Sequence, residues 1–188
     1  MPKAVIISGN PNAVSRLNGI LEHVTGTLAS LGWSVTQLPV ANLPAEDLIL
    51  ARWDSPAIVE ANRTVADADA IIIASPVYKA SYTGVLKTYL DLLPQKGLEG
   101  KVILPLFIGG TIAHLLSIDY ALKPVLSALY ARHIEAGVFA VDSQITKADD
   151  GGFVLQEELS NRLDAAVGAF VQAAVLFTPQ TVPEEAVI

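Results

Sequence analysis

The sequence has no cysteine, a single methionine and three histidines, and only 16% of its 188 residues are charged. Without a thiol there is no thiolate nucleophile, disulfide framework, iron–sulfur cluster or cysteine-ligated zinc. His23, His114 and His133 lie far apart, with neither HxH nor HExxH spacing, so no metal site is expected. Cations are scarce as well: 12 Lys and Arg against 19 Asp and Glu leave a net charge of −7. An acidic chain lacking clustered cations has little means of neutralising phosphates along a nucleic acid, so no nucleic-acid partner is expected.

What is plentiful is apolar surface, with 52% of residues hydrophobic. That surplus calls either for a membrane or for more buried area than one monomer needs. The two longest uncharged runs, residues 102–118 and 165–183, do not read as membrane spans. The first contains Pro105, Gly109, Gly110, Thr111 and His114, and the second is stopped by Pro179. Neither leaves enough continuous apolar helix for a hydrocarbon core of about 30 Å. The N-terminal MPKAVIISGNPN has no long apolar region and no cleavage site, so no signal peptide is expected. A soluble, cytoplasmic protein follows, with one domain over residues 1–178 and a tail over 179–188.

Short apolar runs at Ala4–Ser8, Ala70–Ser75, Val102–Ile108 and Gly137–Val141 read as buried strands, and the alternating Ser34–Leu38 as an edge strand. Helical patterns cover residues 15–31, 56–67, 84–93, 119–132 and 156–177, so strands and helices alternate. The segment Asp142–Gly152 reads as a polar loop. This pattern predicts an α/β, flavodoxin-like three-layer sandwich with a five-stranded parallel sheet in the order 2-1-3-4-5. Ligands in such folds sit beyond the carboxyl ends of the strands, which directs attention to the loops there.

Three of those loops carry candidate chemistry. After the first strand, Ser8-Gly9-Asn10-Pro11-Asn12 leads into a helix start bearing Ser15, Arg16 and Asn18. Helix amides there favour an anion and Arg16 adds a charge-assisted donor. The loop lacks the GK[ST] of a nucleotide triphosphatase and the GxGxxG of a dinucleotide fold, and Gln37-Leu38 offers no acid for a ribose hydroxyl. A terminal phosphate without that ribose, as in FMN, fits better than either. An ordinary helix cap by Ser15 is the plainer alternative. After the third strand, Pro76, Val77, Tyr78 and Lys79 can line a planar heterocycle, with Lys79 placing charge near a reduced ring. After the fourth, Gly109, Gly110 and Thr111 let a backbone approach a flat ring.

The segments GNPNAVSR, SPVYKASYTGVLKTYLDLLP, LPLFIGGTIAHLL and DYALKPVLSAL together resemble the NAD(P)H-dependent FMN reductases of the alkanesulfonate-utilisation system. The resemblance covers roughly residues 1–176. It implies hydride transfer from NADPH to FMN and delivery of free reduced flavin to a flavin-dependent alkanesulfonate monooxygenase. It also implies a homodimer or homotetramer. The family's phosphate loop falls on Ser8, Asn10, Ser15, Arg16 and Asn18. Its ring contacts fall on Pro76, Val77, Tyr78, Lys79, Gly109, Gly110 and Thr111. Where related proteins often read GSPR, this chain has Asn10 and Asn12, removing one cation beside the phosphate.

Hydride transfer needs no protein acid or base, so no indispensable catalytic side chain is expected; Lys79, Gly110 and Tyr120 are supporting candidates. Pro124 cannot donate to the Tyr120 carbonyl four residues earlier, and the resemblance implies a π-bulge at Tyr120 near the flavin and a subunit contact. Two other functions fit the same fold: a quinone or azo reductase that keeps its FMN, and a non-enzymatic flavodoxin-type electron carrier.

Overall fold

In the computed structural model, which describes residues 1–149 and 151–177, strands and helices alternate from the first residues onward. The first half runs β1 (Lys3–Ser8), α1 (Arg16–Ser30), β2 (Ser34–Pro39), α2 (Ala45–Ile49), α3 (Pro56–Ala66), β3 (Ala70–Tyr78) and β4 (Ser81–Tyr82). The second half runs α4 (Gly84–Leu90), β5 (Val102–Gly109), α5 (Lys123–Ala128), β6 (His133–Ile134), β7 (Val138–Val141), β8 (Ile145–Lys147), β9 (Phe153–Leu155) and α6 (Glu157–Phe177). The tail over 179–188 lies outside the described residues.

The main sheet follows the order β2-β1-β3-β5-β6, with β4 on β3 and β7 on β5. It is parallel except for the β3–β4 pair. The five-stranded expectation is therefore corrected to seven strands. Two physical details account for the difference. The two-residue β4 is too short to show a period. The edge row is broken into β6 and β7 because Pro105, mid-way along β5, has no N–H to offer it. The break is turned by Gly137 at φ +81°, where a Cβ would stand 2.7 Å from the Pro105 carbonyl oxygen.

Continuously apolar strands have both faces covered, and this sheet does. Val5, Ile7, Ile71, Ile73, Ile103 and Phe107 face α3, α4 and α5 through Ile58, Val65, Leu86, Tyr89 and Leu126. The intervening residues Ala4, Ile6, Ile72, Leu104 and Leu106 face α1 and α6. On α6 the buried stripe is Leu159, Leu163, Val167, Phe170 and Ala174, one face of a 3.6-residue period. Among the described residues no helix is long and apolar enough to cross a membrane.

The polar loop expected over Asp142–Gly152 is also corrected. It begins with a 3₁₀ turn, Asp142–Gln144, and continues into the antiparallel pair β8–β9. This hairpin lies against α1 at Gly19, where a Cβ would be 2.6 Å from Phe153 Cβ. The short helix α2 carries no long period and is equally silent in the sequence.

Candidate functional site

The carboxyl ends of β1, β3, β5 and β7 converge on one cleft of about 240 Å³. Asn12, Val14, Ser15 and Arg16 line it from the first loop, and Pro76, Val77 and Tyr78 from the end of β3. Ile108, Gly109 and Gly110 come from the end of β5, and Asp142 from the turn after β7.

The first loop is braced from within. Gly9 N–H donates to the Ala74 carbonyl at 2.8 Å, and Thr83 Oγ1 donates to the Gly9 carbonyl at 2.6 Å. A Cβ on Gly9 would collide with Leu86 Cβ and stand 2.9 Å from Thr83 Oγ1, so the first loop sits directly on the start of α4. Asn10 Nδ2 donates to the Asn12 carbonyl at 2.7 Å and reaches Asn18 Oδ1 at 3.4 Å, while Asn18 Nδ2 donates to the Ala13 carbonyl at 2.7 Å. These amides occupy the loop's carbonyls. The N–H groups of Ala13, Val14, Ser15 and Arg16 then have no acceptor within the described protein. Ser15 caps α1 by accepting from Leu17 N–H. Free amides at a helix start form an anion cradle.

Arg16 adds charge to that cradle. Its Nε donates to the Ile145 carbonyl of β8 at 3.0 Å, which fixes the guanidinium while leaving its terminal nitrogens free. Among the described residues it is the only cation lining the cleft, and Asp142 the only carboxylate.

The second loop is instead held in a strained turn by the pairing of its flanking strands. Val77 pairs with Tyr82 and Tyr78 with Ser81, closing a two-residue turn at Lys79 and Ala80. Both turn residues have positive φ, +51° and +66°, the signature of a type I′ hairpin turn. Neither is glycine, so the turn stores on the order of 1 kcal/mol or more per residue. Such strain persists where the surroundings enforce it, and here it sets Tyr78, half-exposed, at the cleft's rim. Ser75 Oγ accepts from Thr83 N–H at 3.1 Å, tying the hairpin's far end to the sheet. Burial raises the pKa of the Tyr82 phenol, keeping it neutral.

The third loop forms the floor. A Cβ on Gly109 would stand 3.0 Å from Phe139 Cζ, so this glycine permits close packing. A Cβ on Gly110 would meet only Asp142 Oδ2, at 3.8 Å, leaving a flat open surface where a planar ring can lie.

Of the residues singled out by sequence, the cleft unites Ser15, Arg16, Pro76, Val77, Tyr78, Gly109 and Gly110. Ser8, Asn10 and Asn18 brace the loop and line an adjoining cleft on its β2 side. Lys79 lies in the strained turn, and Thr111 accepts from Ala113 N–H at the start of a 3₁₀ turn. Tyr120 sits in a π-helical turn, Ile118–Leu122, in which Lys123 N–H donates five residues back to the Ile118 carbonyl. It is 79% exposed and lines a separate hollow with Ala80, His114 and Ser117. Sequence reasoning missed Asp142, although it directly follows a strand at the ligand-bearing edge.

Residues 2–146 match the family described as NADPH-dependent FMN reductase. The FMN reductase (NADPH) of Escherichia coli K12 is 47% identical over 171 residues, covering 91% of this chain and 89% of that protein. The FMN reductase (NADPH) of Pseudomonas putida KT2440 is 49% identical over 145 residues, covering 77% and 74%. Among solved structures, an NADH:FMN oxidoreductase in its apo form superposes with a TM-score of 0.83 at 32% identity, covering 96% of this chain and 92% of that one.

Proposed function

This chain belongs to the NADPH-dependent FMN reductase family, and from that premise we propose that it supplies reduced flavin to an alkanesulfonate monooxygenase in the cytoplasm. It is an oxidoreductase with NADPH as electron donor and FMN as flavin substrate. One observation supports the binding place above the rest: free helix-start amides, Arg16 and an open glycine floor line a single cleft.

In this reading Ser15 and Arg16 hold the phosphate, and Ser8, Asn10 and Asn18 keep the loop in shape. Pro76, Val77, Tyr78, Gly109, Gly110 and Thr111 surround the ring. FMN supplies hydride acceptance from NADPH, which requires no acid or base from the protein. What the protein contributes is alignment, through the rigid floor and the enforced turn, and charge. Lys79 and the amide near Gly110 favour negative charge on the ring, while Asp142 opposes it. Opposed charges suit a flavin that must leave.

Tyr120 with exposed Ile112, Leu115 and Leu116 forms an apolar surface beside the hollow, which supports subunit contact in a homodimer or homotetramer. The Tyr120→Ala protein is expected to show a lower oligomer mass by light scattering, with altered FMN exchange.

The direct test is anaerobic reduction of excess FMN by NADPH, followed by rapid ultrafiltration and addition of the filtrate to an alkanesulfonate monooxygenase with oxygen and substrate. Reduced flavin in the filtrate and released sulfite are expected. Flavin retained on the protein and passed to a quinone would point instead to a quinone reductase.

A further inference from the structure

Arg16 is an exposed side chain with a single anchor: among the described residues, its guanidinium has no partner besides the Ile145 carbonyl. A long side chain held at one point keeps its direction only while that point stays still. Ile145 directly follows the 3₁₀ turn Asp142–Gln144, and its N–H donates back to the Asp142 carbonyl. The position of the anchor is therefore set by that turn.

The turn in turn hangs on Gln144, which is half-buried. Gln144 Oε1 accepts from Val141 N–H at the end of β7, at 2.9 Å, and Gln144 Nε2 donates to Glu158 Oε2 on α6, at 2.7 Å. Its carbonyl accepts from Gln156 N–H at 2.9 Å, just before α6 begins. Glu158 is steadied by Arg162, which donates to Glu158 Oε1 at 3.3 Å and to the Phe139 carbonyl of β7 at 2.7 Å. One carboxamide, offering an acceptor and a donor together, thus joins the strand, the turn and the helix. On the far side of the hairpin, Phe153 rests on Gly19, one helical turn along α1 from Arg16. The start of α1 and the Ile145 carbonyl are held against each other from both ends.

We infer that Gln144 is a positioning residue for flavin binding: it fixes the Ile145 carbonyl and thereby holds the Arg16 guanidinium ready for the flavin phosphate. The inference rests on the placement of that phosphate beside Arg16. With Nε committed to the carbonyl, the two terminal nitrogens remain for a bidentate contact with phosphate oxygens. An arginine already directed at its ligand does not have to be ordered on binding, and ordering a side chain of this length is enough to change affinity several-fold. Gln144 itself does not line the cleft, so its effect passes through Arg16.

Titrations of the full-length protein with FMN and with riboflavin, which lacks the phosphate, followed by quenching of flavin fluorescence, test the assignment. Gln144→Ala is expected to weaken FMN about fivefold and riboflavin less than about twofold. In the Arg16→Ala background the same substitution should change FMN affinity less than about twofold, because the two residues act as one unit. Glu158→Ala, an exposed change on α6 that releases the Gln144 amide, should give the same pattern at about two- to threefold, whatever the stability of Gln144→Ala. Equal losses for both flavins, or an undiminished loss in the Arg16→Ala background, would show that Gln144 serves the fold alone and would overturn the inference. FMN affinity unchanged by Gln144→Ala would overturn it as well. An Arg16→Ala protein with undiminished FMN affinity would instead overturn the phosphate placement itself, and the inference with it.

Discussion

The loops after β1 and β3 flank the same cleft yet are held in shape by opposite means. The first has its carbonyls satisfied by its own asparagines and by Thr83, and it carries no strained residue. The second makes a turn that two non-glycine residues adopt only at a cost, and the sheet and Thr83 enforce it. A loop that must present several amides to an anion is best fixed by hydrogen bonds, which leave the N–H groups free. A loop that must set one aromatic face against a ring needs only a fixed direction, and a tight hairpin turn gives that.

The contrast can be broken at graded cost. Gly9→Ala carries the largest expected effect, because the new methyl collides with Leu86 and Thr83 where the two loops meet. Overpacking of this kind costs about 1–3 kcal/mol, lowering the unfolding midpoint by about 2–4 °C per kcal/mol in a domain of this size. Thermal unfolding should fall accordingly, and FMN affinity should fall with it. Gly110→Val separates those two effects, since its side chain enters open cleft rather than packed interior. Its midpoint should stay within what a surface change produces, about 0.5 kcal/mol, while FMN affinity drops about tenfold or more by titration. Ala80→Gly is the mildest. Relief of the left-handed strain should stabilise the protein by about 0.5–1 kcal/mol in denaturant unfolding, and a looser turn should weaken FMN only about twofold. If Ala80→Gly destabilised the protein, the turn would not be strained in the way its φ values imply.

How much of this was legible beforehand follows from the length scale of each signal. The strands at Ala4–Ser8, Ala70–Ser75 and Val102–Ile108 announce themselves because burial on both faces forces an unbroken apolar run. Once those are placed, the ligand edge follows, and with it Arg16, Tyr78 and Gly110. The split of the edge row depends on a backbone N–H missing at Pro105 in a neighbouring strand, which no local pattern in residues 133–141 reports. The β8–β9 hairpin is three residues a side, too short for periodicity, yet it positions Arg16 through the Ile145 carbonyl. Asn10 and Asn18 read naturally as ligand donors, because their residue type suits either role. Only the distances show their amides committed to the loop carbonyls. The missing N–H of Pro124 by itself fits either a bulge at Tyr120 or a proline in the first turn of a helix, and it is the resemblance that pointed to the π-helical turn found there.

Flavin binding in this cleft depends most on the phosphate lying at the start of α1, beside Arg16. FMN titration of the Arg16→Ala protein, set against wild type, measures this most directly. Loss of charge-assisted bonds worth about 1.5–3 kcal/mol should weaken FMN by about tenfold or more. Loss of the single bond to the Ile145 carbonyl should cost stability only about 0.5–1.5 kcal/mol. An Arg16→Ala protein that binds FMN as tightly as wild type would contradict the placement of the flavin in this cleft.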